Sequence, residues 1–108
     1  MASKAFADAN LLLDFTLKRT GLKIAQDVIQ LSIDRTVQLC TTPAVVHIIS
    51  YFTSQVYSKS DTKKLILTLL NDVEIIDCDH TTCITALGSG IDDAEDALQY
   101  FTALSHGI

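Results

Sequence analysis

Apolar and polar residues alternate along the chain in blocks that predict short strands separated by helices. Three short segments predict strands: the half-apolar 4–7, the β-branched 37–40 and the segment 73–76. Apolar residues at helical spacing predict helices at 9–18, 22–33, 43–56, 61–70, 81–87 and from residue 92 or 93 through 104. Because strands alternate with helices, we predict an α/β fold, a three-layer sandwich with a parallel central sheet and helices on both faces.

Several local signals set the predicted helix boundaries. Thr42-Pro43 is typical of a helix start, with Thr as the N-cap and Pro in the first helical position. Asp61 is predicted to cap the fourth helix, and Asp14 and Lys18 are spaced to form an ion pair on the first. The remaining caps are predicted at Asp8 or Asn10 for the first helix, Asp92 or Asp93 for the last helix, and Gly107 at its end.

The length of 108 residues is that of one domain, so we expect residues 1–108 to form a single domain. The last helix ends at Gly107 with no strand after it, and the alternation predicts a further strand beyond Ile108. We therefore expect the chain to be incomplete at its C-terminus.

Composition narrows the class of protein. Hydrophobic residues make up 48% of the chain and charged residues 19%, which is typical of a folded globular protein rather than a disordered one. The three cysteines are odd in number and include no Cys-x-x-Cys pair, so a secreted disulfide framework is not expected. No signal peptide or membrane-spanning run is seen, and we expect a cytoplasmic protein.

Charge is distributed unevenly along the chain. The net charge is −5, yet residues 1–71 contain all eight Lys and Arg with five acids, and residues 72–108 contain the other eight acids. An acidic protein binds nucleic acid poorly by non-specific attraction to phosphate. A local cluster of carboxylates repels itself, and it is tolerated when it faces water or binds a cation.

Aspartates fall at the predicted ends of strands and starts of helices. Asp8 follows the first strand, Asp77 and Asp79 follow the third, and Asp93 and Asp96 share one face of the last helix. Strand ends and helix starts meet at one edge of a parallel sheet, where ligands bind. Carboxylate oxygens suit Mg²⁺ or Mn²⁺, which can activate water and stabilise a departing phosphodiester oxygen. Equally, an Asp before a helix acts as a cap, and an Asp after a strand marks a turn.

Two stretches resemble the PIN-domain family. Asp8-Ala9-Asn10 followed by three leucines looks like the opening of that family, and residues 92–107 resemble its acidic helix. Thr42-Pro43-Ala44 and the strand before Asp77 fall between them in the expected order. The resemblance covers essentially the whole chain.

The resemblance implies a ribonuclease that uses Mg²⁺ or Mn²⁺ to cleave single-stranded RNA. Asp8 would be its first acid, Asp96 its third, and Asp93 a neighbouring acid in the same catalytic metal site; Asn10 would position Asp8 or a metal-bound water. Many members are toxins of VapC-type toxin–antitoxin pairs, so an antitoxin protein and a homodimer are also implied.

The chain departs from the family in two places. The family's second acid is expected on the helix after the second strand, yet residues 41–60 contain no Asp or Glu. His47 is the nearest polar substitute there, and both a ligand role and a packing or surface role stay open. The family's last strand, with its further acid or Asn, lies beyond Ile108.

Two alternative functions stay open. One is a PIN-like scaffold that binds a protein or RNA without cleaving it. The other is a receiver-type signalling domain with Asp77 as phosphoacceptor, although such domains carry paired acids after the first strand and a late Lys, and this chain has no Lys after Lys64.

Two smaller groups of residues have open roles. Cys78, His80 and Cys83 form a metal-like string, but zinc sites prefer Cys-x-x-Cys pairs, so buried or incidental thiols are the alternative. Lys59, Lys63 and Lys64 are spaced to touch RNA phosphates or to form a solvated helix face.

Overall fold

The computed structural model describes residues 3–108, which fold into three strands and six helices. In chain order they are β1 (Ser3–Phe6), α1 (Ala9–Thr16), α2 (Leu22–Ile33), β2 (Val37–Thr41), α3 (Pro43–Ser54), α4 (Lys59–Leu69), β3 (Val73–Ile75), α5 (His80–Leu87) and α6 (Ala94–Ser105). Their contacts group into two compact units, one that ends at residue 75 and one of residues 76–108. The first unit contains the sheet and four helices, and the second contains α5 and α6.

The three strands form one parallel sheet in the order β1-β2-β3. Ala5 pairs with Leu39 and Leu39 with Val73, so these three residues share one face of the sheet. Phe6, paired with Cys40, belongs to the other face. The predicted α/β class and the parallel sheet are thus confirmed, while the three-layer arrangement and the single domain stay predictions.

The core of the first unit draws on every one of its elements, because each helix turns an apolar stripe toward the sheet or a neighbouring helix. Its buried members are Ala7, Leu12, Leu13, Ile29, Leu39, Val45, Ile49, Ile66, Leu69 and Val73. The helix α1 packs against both α2 and α3, and α3 packs against α4. This packing holds the start of α1 beside the end of β1.

The buried hydroxyl of Ser32 ties α2 to the sheet. It donates a hydrogen bond to the carbonyl of Asp72, just before β3, and accepts one from the backbone N–H of Leu39 in β2. One side chain thereby gives a hydrogen-bond partner to each of two backbone groups. A backbone group buried without a partner would lower the free energy of unfolding.

Two local predictions are wrong. Ser58, not Asp61, caps α4: its hydroxyl accepts a hydrogen bond from the backbone N–H of Asp61 at 3.0 Å. Asp14 pairs with Arg19 at 2.8 Å rather than with Lys18, because Lys18 lies beyond the end of α1 in the left-handed region at φ 52°. Gly21 lies so close to the Asp14 carboxylate that a Cβ there would displace it.

The second unit is a pair of packed helices. Ala86 of α5 and Ala97 and Thr102 of α6 are buried. The helix α6 ends as predicted at Gly107, whose φ of +80° allows the backbone N–H of Ile108 to reach the carbonyl of Ala103 at 2.9 Å. Over residues 3–108, no helix combines the length and the apolar composition that crossing a membrane requires.

Candidate functional site

Asp8 lies at the carboxyl end of β1 and caps α1. Its Oδ1 accepts a hydrogen bond from the backbone N–H of Leu11 at 2.9 Å, and its backbone is extended. The residue is exposed, and its Oδ2 accepts no hydrogen bond from any described residue. The cap therefore uses one carboxylate oxygen and leaves the other open to solvent.

The end of β1 is fixed to the end of β2 directly before Asp8. The backbone N–H of Ala7 donates to the carbonyl of Cys40 at 2.8 Å, and the buried hydroxyl of Thr41 donates to the carbonyl of Ala7 at 2.8 Å. Both backbone groups of Ala7 are thus paired with β2. This pairing fixes the position from which the Asp8 carboxylate projects.

Asn10 and His47 lie in the same unit as Asp8. Asn10 is exposed in the first turn of α1, and its backbone carbonyl accepts a hydrogen bond from the Arg19 guanidinium at 3.3 Å. Its side chain forms no hydrogen bond to Asp8. His47 is exposed on α3, where it borders a cavity of about 280 Å³ with Val46, Ser50 and apolar neighbours.

The carboxylates of Asp93 and Asp96 have different roles at the start of α6. Asp93 is the N-cap, and its Oδ2 accepts a hydrogen bond from the backbone N–H of Asp96 at 2.9 Å. The Asp96 carboxylate accepts no hydrogen bond from any residue within 3–108. Both residues are exposed, as are the neighbouring Asp92 and Glu95. The positive end of the helix dipole partly offsets the repulsion among these four charges.

The acids implied by the family resemblance are divided between the two units, with Asp8 in the first and Asp93 and Asp96 in the second. Taken by itself over the described residues, neither unit gathers three His, Cys, Asp or Glu side chains that could hold a metal ion. Each acid therefore offers oxygen ligands individually, and no unit alone forms a complete ligand set.

The start of α5 holds two cysteines in contact, which sequence reasoning treated only as a weak zinc string. The sulfur atoms of Cys78 and Cys83 are 3.2 Å apart. The hydrogen bond with Cys78, followed by partial burial and nearby negative charge, raises the pKa of the Cys83 thiol. Asp79 caps the helix by accepting from the backbone N–H of Thr82 at 2.8 Å. The sequence could have indicated this contact. Cys78 directly precedes the capping Asp79 and Cys83 is the fourth residue of the helix, and side chains at these two positions touch in a hydrophobic staple.

Hydrogen bonds also connect the two ends of the second unit. The His106 ring Nε2 lies 3.0 Å from the carbonyl oxygen of Asp77, and the Oδ1 of Asp77 accepts from the backbone N–H of Cys78 at 2.8 Å. Hydrogen bonds from the Thr82 side chain and backbone lower the pKa of Asp79, and the nearby imidazoles of His106 and His80 act in the same direction. The segment before α5 is therefore held by one bond to its own backbone and one to the His106 ring at the other end of the unit.

A cavity of about 520 Å³ in the first unit was not predicted from the sequence. Residues of α1, α2 and α4 line it, including Phe15, Leu22 and Leu65, with Lys18 and Lys64 contributing cations. Its walls come from three helices that are separate in sequence, so no local pattern could have indicated it.

No family model, curated protein or solved structure matches this chain.

Proposed function

We propose that the chain is an endoribonuclease of PIN-domain type that uses Mg²⁺ or Mn²⁺ to cleave single-stranded RNA. The observation that carries this proposal is the location and the hydrogen bonding of the Asp8 carboxylate. It stands at the carboxyl edge of a parallel sheet, where such folds bind ligands. One of its oxygens caps α1 while the other accepts no hydrogen bond from a described residue. The capping role and a metal-binding role are therefore compatible in one carboxylate.

The start of α6 supports the same proposal. Asp93 satisfies the helix cap, so capping does not explain Asp96. Asp96 lies in the first turn of α6, where the helix dipole favours an acid, and its carboxylate has no partner among the described residues. Its oxygens are therefore open to a cation as well. In the proposal Asp8 and Asp96 hold the metal ion, with Asp93 beside them.

The donor set fits the proposed metal in chemistry. Carboxylate oxygens are the ligands that Mg²⁺ and Mn²⁺ prefer. Over the described residues, neither unit by itself gathers three such side chains. When bound, the ion would supply activation of water and stabilisation of the departing oxygen. A supporting role for Asn10, an antitoxin partner and a homodimer remain predictions from the resemblance. A ligand role for His47 stays open, and a cytoplasmic location stays a prediction from the composition.

The test is cleavage of a fluorescently labelled single-stranded RNA by the full chain with Mn²⁺, with Mg²⁺ and with a chelator. We expect cleavage only with the metals. Asp8→Asn and Asp96→Asn should each lower the rate by about 100-fold or more, the scale on which loss of one group that stabilises developing charge acts. Asn is also a good N-cap, so Asp8→Asn keeps the start of α1 intact.

Asp27→Asn is the matched control, because Asp27 is exposed in α2 and pairs only with Lys23 on the surface. It should cleave at the parent rate. If Asp8→Asn and Asp96→Asn cleave as fast as this control, the assigned site is wrong.

A non-cleaving PIN-like scaffold is the second candidate function. The absence of Asp and Glu from residues 41–60 favours it, because the acid expected on α3 is missing. Calorimetric titration with Mn²⁺ separates the two functions. Binding of Mn²⁺ that Asp8→Asn abolishes, without any RNA cleavage by the parent, would support the scaffold over the nuclease.

A further inference from the structure

The second unit contains two thiols in direct contact. Cys78 and Cys83 are both half-buried, and their sulfur atoms are 3.2 Å apart. The third thiol, Cys40, is buried in β2, where burial is the main cause that raises its pKa. The three free cysteines therefore divide into one accessible pair and one enclosed single residue.

Local backbone geometry brings the pair together. Asp79 is the N-cap of α5, so Cys78 occupies the position before the cap and Cys83 the fourth helical position. Side chains at these two positions normally touch as a hydrophobic staple. The contact is thus built by six consecutive residues, and it depends on the cap of one helix rather than on distant packing. A disulfide needs its sulfurs about 2.05 Å apart, so closing this pair requires a shift of about 1 Å.

We propose that Cys78 and Cys83 are a reversible dithiol–disulfide pair that is oxidised by a low-molecular-weight disulfide such as oxidised glutathione. The staple of α5 then exists in a non-covalent and a covalent form. This modification site is independent of the proposed nuclease function, since neither cysteine belongs to the assigned metal site.

The exchange balances without a further reactant. One protein thiolate attacks a sulfur of the small disulfide, which forms a mixed disulfide and releases one small thiolate. The second protein thiol loses its proton and attacks the protein-side sulfur of the mixed disulfide. The bond between Cys78 and Cys83 forms and a second small thiolate leaves. Two electrons pass from the protein to the small disulfide, and the two protons from the protein thiols end on the two released small thiols.

The groups around the pair favour the protonated thiol over the thiolate, so the pair stays a dithiol until an oxidant is present. The negative charges of Asp79 and Asp77 disfavour a thiolate at Cys83. The hydrogen bond with Cys78 raises the pKa of Cys83, so that thiol retains its proton at neutral pH. We accordingly expect the pair to be stable when reduced and to close only by exchange.

The test treats the folded full chain with mixtures of reduced and oxidised glutathione, then quenches with an alkylating reagent and digests with trypsin. No Lys or Arg follows Lys64, so one tryptic peptide, residues 65–108, carries both cysteines of the pair. Cys40 falls in a separate peptide, residues 36–59. We expect the 65–108 peptide to lose the mass of two hydrogen atoms and to resist alkylation, while the 36–59 peptide stays alkylatable after unfolding.

Cys78→Ser and Cys83→Ser are the matched variants, with Cys40→Ser as the control. Each of the first two should stop at a stable glutathione adduct, because the second thiol is missing, whereas Cys40→Ser should form the internal disulfide as the parent does. Far-ultraviolet circular dichroism checks that each variant folds, and the parent measurement stands without them. Glutathione adducts on the parent without an internal disulfide, or disulfides only between chains, would overturn the proposal.

Discussion

Two buried threonine hydroxyls join α1 to α3 in the first unit. The Oγ1 atoms of Thr16 and Thr53 are 3.0 Å apart, and both side chains are almost fully enclosed. A hydroxyl buried without a partner costs about 1–3 kcal/mol, whereas two hydroxyls that satisfy each other do not. The pair therefore matters most when only one of its members is changed.

Thr16→Val and Thr53→Val should each lower the free energy of unfolding by about 1–3 kcal/mol, since each leaves one hydroxyl unpaired. The double variant should lose less than the sum of the two, because valine has nearly the same shape and both polar groups are gone. Urea denaturation of the four proteins in a double-mutant cycle measures this coupling.

Thr68→Val is the matched control, because Thr68 is exposed on α4 and bonds only to the carbonyl of Lys64 in its own helix. Its effect should stay within about 0.5 kcal/mol. Additive losses in the Thr16 and Thr53 cycle would show that the two hydroxyls do not depend on each other.

At the scale of elements, the start of α5 depends on one carboxylate. Asp79 caps the helix, and hydrogen bonds from Thr82 lower its pKa from the ordinary value of 3.8. A group whose folded pKa is lowered contributes stability that is present above its unfolded pKa and is lost as the pH falls through its folded pKa. The cap should therefore weaken only in acid.

Asp79→Asn should consequently differ most from the parent above about pH 4 and approach it as the pH falls below that. Asn retains a capping oxygen but carries no charge, so the variant isolates the contribution of the ionised form. The measurement is amide hydrogen exchange at Thr82 and Cys83 in both proteins across this range. A difference that stays constant with pH would contradict the assigned role of the charge.

Helix boundaries were predictable where a few adjacent residues set them. Thr42-Pro43 and Gly107 begin and end helices as predicted, because capping is a local interaction. Asp61 was the wrong cap because Ser58, three residues earlier, offers its hydroxyl to the same turn. The Asp14–Lys18 pair failed because the chain leaves the helix before Lys18, and Arg19 reaches the carboxylate instead.

The candidate site was predictable only in part, because only some of its features are set by adjacent residues. That Asp8 follows a strand and that Asp93 begins a helix are local facts, and the structure confirms both. Whether acids in separate units act on one ion depends on packing that no short motif determines. The Cys78–Cys83 contact was within reach of local rules, since it follows from the cap at Asp79, whereas the cavity lined by Lys18 and Lys64 was not.

For the whole molecule, the distribution of charge limits where RNA would bind if the proposed nuclease function holds. All eight Lys and Arg lie within residues 1–71, and the acids at 72–108 repel phosphate. An RNA strand that reaches the proposed site should therefore contact cations of the first unit. Lys18 and Lys64 are one candidate pair of such cations, because both border the same cavity, which Asp61 also lines, and neither forms an ion pair among the described residues.

The double variant Lys18→Gln/Lys64→Gln should accordingly bind single-stranded RNA more weakly and with a shallower dependence on salt. Each lost phosphate contact reduces the slope of log K against log salt by about 0.7 for a single strand, so the slope should fall by about 1.4. Fluorescence anisotropy at several salt concentrations measures it, with cleavage blocked by a chelator. Lys23→Gln/Arg35→Gln removes the same charge from two residues that do not line this cavity, and Lys23 is already paired with Asp27, so the slope should stay nearly unchanged. Equal effects of the two double variants would mean that net charge alone, and not this cavity, attracts the RNA.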